Sequence, residues 1–182
     1  MIRRCHALGL VGLLTASVCL GLLADAGAAP KGRVVMALGT DPSTLDPHMH
    51  ALRVGIIVEY QMFDTLLERD LKTMAPVPKL AESVKAINDA TWEVKLIPGI
   101  KFHNGEPMNA DAVKFTLDRI LNPEQKSPGR GNYTWIKAVE VVDDLTVRIH
   151  THKPFPLIHE RLIYTYVLPP KYLRRVGDSG FA

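Results

Sequence analysis

The sequence predicts an α/β protein in which strands outnumber helices, on the evidence of three segments. Residues 91–97 alternate apolar and polar side chains, which is the pattern of a half-buried strand. Residues 137–151 predict two strands joined by a turn at Asp143–Asp144. Residues 110–121 place apolar side chains at helical spacing and predict an amphipathic helix. We therefore expect a sheet with helices packed on it.

The first 28 residues predict an export leader. Two arginines precede an almost wholly apolar run from Ala7 to Ala24, and small residues follow at spacings that suit a signal peptidase. The run is near the ~18 residues of a membrane span, so an uncleaved anchor is the alternative. Cys19 lacks the sequence context of a lipoprotein processing site, and we expect no lipid anchor.

Composition narrows the classes of function. Cleavage of the leader would remove both cysteines, so the exported chain is expected to have no disulfide and no Cys-ligated metal. It would also take two arginines and one aspartate from the 22 basic and 19 acidic residues, which leaves a net charge of +2. This near balance, without a basic run or a basic and aromatic stripe, argues against nucleic-acid binding. No segment calls for a cofactor.

The other elements follow in order along the chain. Arg33–Leu38 predicts a first strand, and a loop rich in Pro, Asp and Thr follows it. Arg53–Leu67 is apolar nearly all round and predicts a buried helix. Residues 75–89 predict an extended segment and a strand that pairs with 91–97. Two prolines open residues 154–166, for which we predict a short helix.

The densest group of polar residues lies at Gly99–Leu121. Asn104–Gly105 predicts a tight turn, because both residues tolerate positive φ, and Asn109 stands where a helix N-cap is wanted. A hydrolase that uses His103 with Glu106 is the alternative. The sequence supplies no nucleophile elbow, phosphate loop or zinc-binding helix to support it. We therefore predict that this stretch is scaffold and that the protein is not an enzyme.

Three segments in a fixed order resemble one protein family. They are "ALGTDPSTLDPH" (37–48), "WEVKLIPGIKFHNGEPMNADAVKFTLDRI" (92–120) and "YVLPPKYL" (166–173). Together they resemble the family 5 extracellular solute-binding proteins, the peptide, nickel and glutathione receptors of bacterial ABC importers. The resemblance implies a type II periplasmic-binding-protein-like fold with two lobes that clamp a ligand. This chain would be the N-terminal part of that clamp.

The resemblance also implies a division of the chain. After the leader, residues 29–48 would begin the first lobe, residues 49–165 would form an inserted α+β subdomain, and residues 166–182 would return to the first lobe and stop there as a fragment. The complete protein would be a periplasmic monomer that captures a small solute, in first place a short peptide, for a membrane permease. A nickel- or other metal-complex receptor of the same family is the alternative.

Candidate ligand-binding residues fall in three segments that would border the cleft between the lobes. Arg53 could pair with a carboxylate through its forked guanidinium, although a solvated charge at a helix start is equally consistent with its position. Trp135 and its tyrosine neighbour offer flat apolar surfaces, or could simply cover the core. The seven candidates are His48, His50, Leu52, Arg53, Tyr133, Trp135 and Tyr164.

Two histidine pairs raise the question of a metal. His48/His50 and His150/His152 each have i, i+2 spacing, which puts both rings on one face of an extended chain. Imidazole pairs suit nickel, copper or zinc. Because the sequence specifies no third ligand, we expect no metal site.

Overall fold

A four-stranded antiparallel sheet is the centre of the computed structural model, which describes residues 32, 35–50 and 52–181. The strand order is β3-β4-β6-β5, and β1 and β2 form a separate two-stranded ribbon. The strands are β1 (Leu67–Arg69), β2 (Pro76–Pro78), β3 (Ala81–Asn88), β4 (Thr91–Leu96), β5 (Ile136–Asp143) and β6 (Thr146–Thr151). The predicted pairing of the strand before residue 89 with the strand after it, and the predicted hairpin, are confirmed.

Helices surround this sheet. They are α1 (Arg53–Glu59), α2 (Ala110–Leu121), α3 (Ile158–Leu162) and α4 (Pro170–Phe181), with two 3₁₀ turns at Pro123–Gln125 and Arg130–Tyr133. Helix α4 is interrupted at Gly177, where φ is 70°. In the part of the chain that the structure describes, every helix is too short or too polar to cross a bilayer.

The core lies between α2 and one face of the sheet. Val113, Leu117 and Ile120 of α2 are buried, as their helical spacing predicts, and α2 packs across β5 and β6. The inward residues of the strands, such as Val94 and Ile149, are fully buried opposite them. The predicted amphipathic helix is thus confirmed.

The opposite face of the sheet carries a row of alternating charges. Lys85 of β3 pairs in register with Glu93 of β4, Glu93 with Arg148 of β6, and Arg148 with Glu140 of β5. The Arg148 guanidinium lies 3.4 Å from the Glu93 carboxylate. Opposite charges on neighbouring strands stabilise a sheet modestly, and the row leaves this face solvated.

The turn and the helix cap in residues 99–121 form as predicted. Gly105 has φ of 86°, and the backbone N–H of Glu106 donates to Asn104 Oδ1 at 3.1 Å. The side chain of Asn109 accepts from the backbone N–H of Ala112 at 3.2 Å and so caps α2. The sequence signals here are local, which explains why they suffice.

Two predicted elements are wrong. The described part of the predicted first strand, residues 35–38, has no regular secondary structure and no strand partner among the described residues, and a strand needs such a partner. The predicted helix Arg53–Leu67 ends at Glu59. Beyond it the chain is extended, because the N–H of Leu66 donates to Thr165 O and Thr65 bridges Tyr166. The predicted leader lies outside the described residues.

Replacing Gly105 by valine should lower the free energy of unfolding by about 1 kcal/mol or more, because a β-branched residue is strained at positive φ. Denaturant unfolding of the purified chain measures this. Gly131→Val is the matched control, since Gly131 has open space around its Cα and no positive φ. An equal loss of stability in both variants would contradict the strained turn.

Candidate functional site

A buried guanidinium joins three distant segments of the chain. The side chain of Arg119, in the last turn of α2, is 4% exposed. It donates to both carboxylate oxygens of Asp46, at 3.1 and 2.6 Å, and to Asp178 Oδ1 at 2.7 Å. The loop before α1, helix α2 and the end of α4 therefore meet at one forked cation, the geometry that arginine provides and lysine does not.

His48 completes this cluster as a neutral ring. Its Nδ1 accepts from Arg119 Nη1 at 3.1 Å, so its Nε2 carries the proton and donates to Tyr166 O at 3.3 Å. Burial, and after it the neighbouring Arg119 cation, lower the pKa of His48 to about 4, although Asp46 and the bond to Tyr166 O act in the opposite direction. The ring is therefore uncharged at neutral pH.

A second buried pair fixes α1. His50 Nδ1 accepts from the backbone N–H of Leu52 at 3.2 Å, and His50 Nε2 donates to Glu59 Oε1. Glu59 is 1% exposed, and burial raises its pKa more than the hydrogen bond from His50 lowers it. The ring lies so close to Gly55 that a Cβ there would collide with it. Only glycine fits at that position of α1.

The outer face of α1 forms an exposed strip. This strip contains Arg53, Ile57 and Tyr60, which have i, i+4 and i+7 spacing and are all exposed. The hydroxyl of Tyr60 donates to Ile163 O at 3.4 Å. Tyr164, which follows Ile163 in the chain, is 44% exposed, as is Tyr60. We call these four residues, Arg53, Ile57, Tyr60 and Tyr164, the α1 strip. The Cα atoms of Arg53 and Tyr60 are about 10 Å apart along the helix axis.

The seven predicted ligand-binding residues divide by exposure. Leu52, Arg53 and Tyr164 are exposed, whereas His48 and His50 are buried in the pairs described above. Their role in ligand binding stays a prediction.

The aromatic candidates in the loop after α2 have internal partners. Tyr133 donates to Tyr164 O at 3.0 Å and accepts from Thr165 Oγ1 at 3.3 Å, and burial raises its pKa to about 12. Trp135 is half-buried and stacks on Phe155 with the ring centres 4.4 Å apart. Tyr133 thus supports the backbone at Tyr164 from within.

Sequence reasoning missed Tyr60 as a candidate. The signal was its spacing of seven residues from Arg53, which places both on one helical face. The helix predicted over Arg53–Leu67 appeared apolar on all sides, and a helix buried all round has no outer face to search.

Glu106 caps another helix. Its carboxylate accepts the backbone N–H groups of Lys171, at 2.9 Å, and Tyr172, at 2.8 Å, in the first turn of α4. Burial would raise the pKa of Glu106, but these bonds and one from Asn104 outweigh it and hold the pKa below its ordinary value. Both carboxylate oxygens are therefore engaged in structure, and the alternative of a His103/Glu106 hydrolase gains no support.

Metal ligation was the other chemistry to examine. Across residues 32, 35–50 and 52–181, no three side chains of the His, Cys, Asp or Glu types converge as ligands. His150 contacts Glu140 at 3.0 Å and Thr91 at 3.2 Å on the solvated face of the sheet. The expectation of no metal site stays a prediction.

A family model described as "Bacterial extracellular solute-binding proteins, family 5 Middle" matches residues 75–179. The chain belongs to this family. Its members are solute-binding receptors of ABC importers rather than enzymes, and the predicted family and the predicted type II periplasmic-binding fold are confirmed.

Named relatives refine this assignment. The glutathione-binding protein GsiB of Pectobacterium atrosepticum is 34% identical over 173 residues, which cover 93% of this chain and 33% of that protein. This chain spans about a third of the length of the curated relatives it matches.

Solved structures show the same likeness. Haemophilus influenzae OppA in complex with RPPGFSPFR matches with a TM-score of 0.73 at 24% identity, over 79% of this chain and 32% of that one, which shows the fold alone. NikZ of Campylobacter jejuni in complex with Ni(L-His) matches with a TM-score of 0.65 at 25% identity, over 74% and 27%.

Replacing His48 by glutamine should flatten the loss of stability in mild acid. The pKa of His48 is about 4 in the folded chain and 6.5 as a free side chain, so the unfolded chain binds the extra proton between these values. The stability that the neutral ring contributes is complete above pH 6.5 and is lost as the pH falls toward 4. Glutamine keeps an acceptor for Arg119 and a donor for Tyr166 without titrating.

Urea unfolding of both proteins at several pH values measures this effect. His150→Gln is the control, because that ring lies on the solvated face of the sheet. An unchanged pH slope in His48→Gln would show that the ring is not held neutral.

Removing the cap carboxylate with Glu106→Ala should loosen the first turn of α4, because the N–H groups of Lys171 and Tyr172 lose their acceptor. We expect faster amide exchange at these two positions and a loss of about 1 kcal/mol. Glu106→Gln keeps an acceptor oxygen and should lose less. Identical exchange in the two variants and the parent would refute the cap.

Proposed function

We propose that this chain forms one wall of the ligand site in an exported receptor, which captures a small solute, in first place a short peptide, for the permease of an ABC importer. The observation that carries the proposal is the α1 strip, where an exposed guanidinium and an exposed tyrosine ring share one face of α1 and the Tyr60 hydroxyl bonds to the carbonyl that precedes the exposed Tyr164. Membership in a family of solute-binding proteins supplies the class of function.

The chemistry of the strip suits a short peptide. The Arg53 guanidinium can hold a carboxylate through two parallel hydrogen bonds. Tyr60 and Tyr164 offer flat apolar faces with polar tips, which accept varied side chains. A peptide of two or three residues spans the ~10 Å between the Cα atoms of Arg53 and Tyr60. The relatives named for glutathione, a tripeptide with free carboxylates, agree with this chemistry.

Export is part of the proposal. The apolar leader within residues 1–28 would carry the chain across the inner membrane and be removed, so that the protein works in the periplasm. The family is described as extracellular, which agrees with this location. The permease partner follows from the family rather than from any surface of this chain.

A metal-complex receptor is the second candidate, because NikZ was solved with Ni(L-His). The geometry favours the peptide. Both ring nitrogens of His48 and of His50 already have partners inside the protein, so neither histidine offers a lone pair to a metal without first breaking a buried bond. Nickel remains a probe in the test below.

A single wall of the ligand site is expected to bind peptide weakly. A clamp gains affinity by enclosing most of the ligand surface between two lobes, whereas a single face leaves much of the ligand hydrated. We therefore expect this chain alone to bind peptide in the millimolar range, and the test uses a method that detects weak binding.

Titration of the isotopically labelled chain with trialanine, reduced glutathione and the Ni(L-His) complex, followed by NMR, tests the proposal. We expect trialanine and glutathione to shift the amide signals of residues 52–60 and 164 and the nickel complex to leave them unchanged. Arg53→Ala should abolish the shifts, whereas Arg175→Ala, an exposed arginine beside Tyr172, should not. His103→Ala should also leave them in place.

Shifts that avoid residues 52–60, or that survive Arg53→Ala, would overturn this wall. Shifts only with the nickel complex would favour the second candidate.

A further inference from the structure

Helix α1 is too weak to hold its own position. It has seven residues, its N-cap residue Leu52 makes no side-chain cap, and it lacks an acidic residue in its first turn and a basic one in its last. Helices this short are marginal in water, so tertiary contacts must place them. The question is which contact places the α1 strip.

A chain of buried polar contacts leads from α1 to Arg119. His50 binds Glu59 at the end of α1 and the N–H of Leu52 at its start. Two residues earlier, His48 accepts from Arg119, and the Asp46 carboxylate receives the forked pair of bonds from the same guanidinium. The loop that carries both histidines is thus anchored on α2 at one end and clamps α1 at the other.

Neighbouring bonds make this loop rigid. Ser127 Oγ donates to His48 O at 2.5 Å, and the backbone N–H of His48 donates to Asp46 Oδ1 at 3.0 Å. The backbone N–H of Asp46 donates to Thr44 Oγ1 at 3.1 Å. Thr44, Asp46 and His48 thus each have a hydrogen-bond partner that limits the movement of the loop.

The two tyrosines of the α1 strip, Tyr60 and Tyr164, are connected to the same guanidinium. His48 donates to Tyr166 O, and the Tyr166 ring packs edge-on against Tyr60 at 5.7 Å. Tyr164 is two residues away in the same segment. Asp178, which follows the left-handed Gly177, closes the cluster on Arg119 from α4. Both the helix that carries Tyr60 and the segment that carries Tyr164 are therefore positioned from Arg119.

We propose that Arg119 is the positioning residue of the ligand wall: through Asp46 and His48 it sets where α1 and residues 164–166 present the α1 strip. This inference rests on the function proposed above. It assigns Arg119 no contact with the ligand.

Electrostatics supports a positioning role. Arg119 with Asp46 and Asp178 carries a net charge of −1, and His48 is neutral; Arg119 and Asp46 are removed from water, whereas Asp178 stays half-exposed, so folding desolvates two of the three charges. Replacing such clusters by apolar residues often leaves stability unchanged or improved, and geometric specificity is their best-attested use. Lysine, a point charge, cannot hold a bidentate carboxylate, a second carboxylate and a ring nitrogen in fixed directions.

Amide exchange of the ligand-free chain with Arg119→Lys is the first measurement. We expect exchange at residues 55–60 to rise about tenfold while exchange in β4 and β6 changes less than about twofold, since the opening is local. Arg148→Lys is the matched control, the same substitution at an arginine with a single, half-exposed ion pair on the sheet. Asp178→Asn removes only the half-exposed partner and should give a smaller rise in the same residues, which keeps the test intact if Arg119→Lys folds poorly.

Peptide titration is the second measurement. Arg119→Lys should weaken the trialanine response at residues 52–60, whereas Arg148→Lys, the matched control on the sheet, should keep it. A uniform rise of exchange over the sheet, or equal weakening in Arg148→Lys, would show that Arg119 only stabilises the fold and would overturn the inference.

The proposed ligand wall and the proposed positioning role of Arg119 can be refuted independently of each other. If the parent chain shows no trialanine response but Arg119→Lys still loosens residues 55–60, the ligand wall is wrong and the anchoring of α1 by Arg119 is established. If exchange at residues 55–60 does not change in either Arg119→Lys or Asp178→Asn, the positioning role is wrong whatever the peptide does.

Discussion

The burial of the Arg119 guanidinium against Asp46 is the interaction on which the arrangement of this chain depends. It joins residues 73 positions apart and brings the loop before α1 onto the last turn of α2. Because a buried charge without a partner would be costly, the pairing of Arg119 with Asp46 couples the folding of the loop to that of α2. The sheet and α2 form a conventional apolar core, but that core does not reach the loop. The guanidinium extends the ordered structure from the core to the α1 strip, the surface proposed to face a ligand.

The polar residues of the 99–121 stretch also connect separate segments of the chain. Asn109 caps the start of α2, and Glu106 caps the start of α4, which arrives from 65 residues further along the chain. Helix α2, which carries Arg119, and helix α4, which carries Asp178, are thus both capped by residues close to this turn. The residue types of this stretch resemble those of a catalytic site, but here they cap the ends of two helices. The Glu106 carboxylate accepts hydrogen bonds from backbone N–H groups.

The sequence predicts the elements that depend on contacts between residues close in the chain, and it does not predict those that depend on contacts between distant residues. Helix α2, its cap at Asn109 and the turn at Gly105 depend on neighbours within a few residues, and periodicity with turn chemistry is enough to locate them. The end of α1 could not be located, because Leu66 leaves the helical path to bond with Thr165, about a hundred residues away. The role of Arg119 was hidden for the same reason: in sequence it is one more basic residue near a helix C-terminus, and both of its acidic partners lie in other segments. Gly55 was a weak signal, since a glycine within a helix often marks the close approach of another group.

The row of alternating charges on the sheet governs how this chain could meet its own copies. Among the described residues, β3 presents Lys85 at one edge of this sheet and β5 presents Glu140 at the other. Two copies that paired through the same edge with these residues opposite each other would set lysine against lysine or glutamate against glutamate, which disfavours that register of two-fold pairing. Pairing between edges of opposite kind would set lysine against glutamate, and joining them would leave one edge of each kind at the ends. Such an association would be head-to-tail and open-ended, and it would weaken as salt screens the charges.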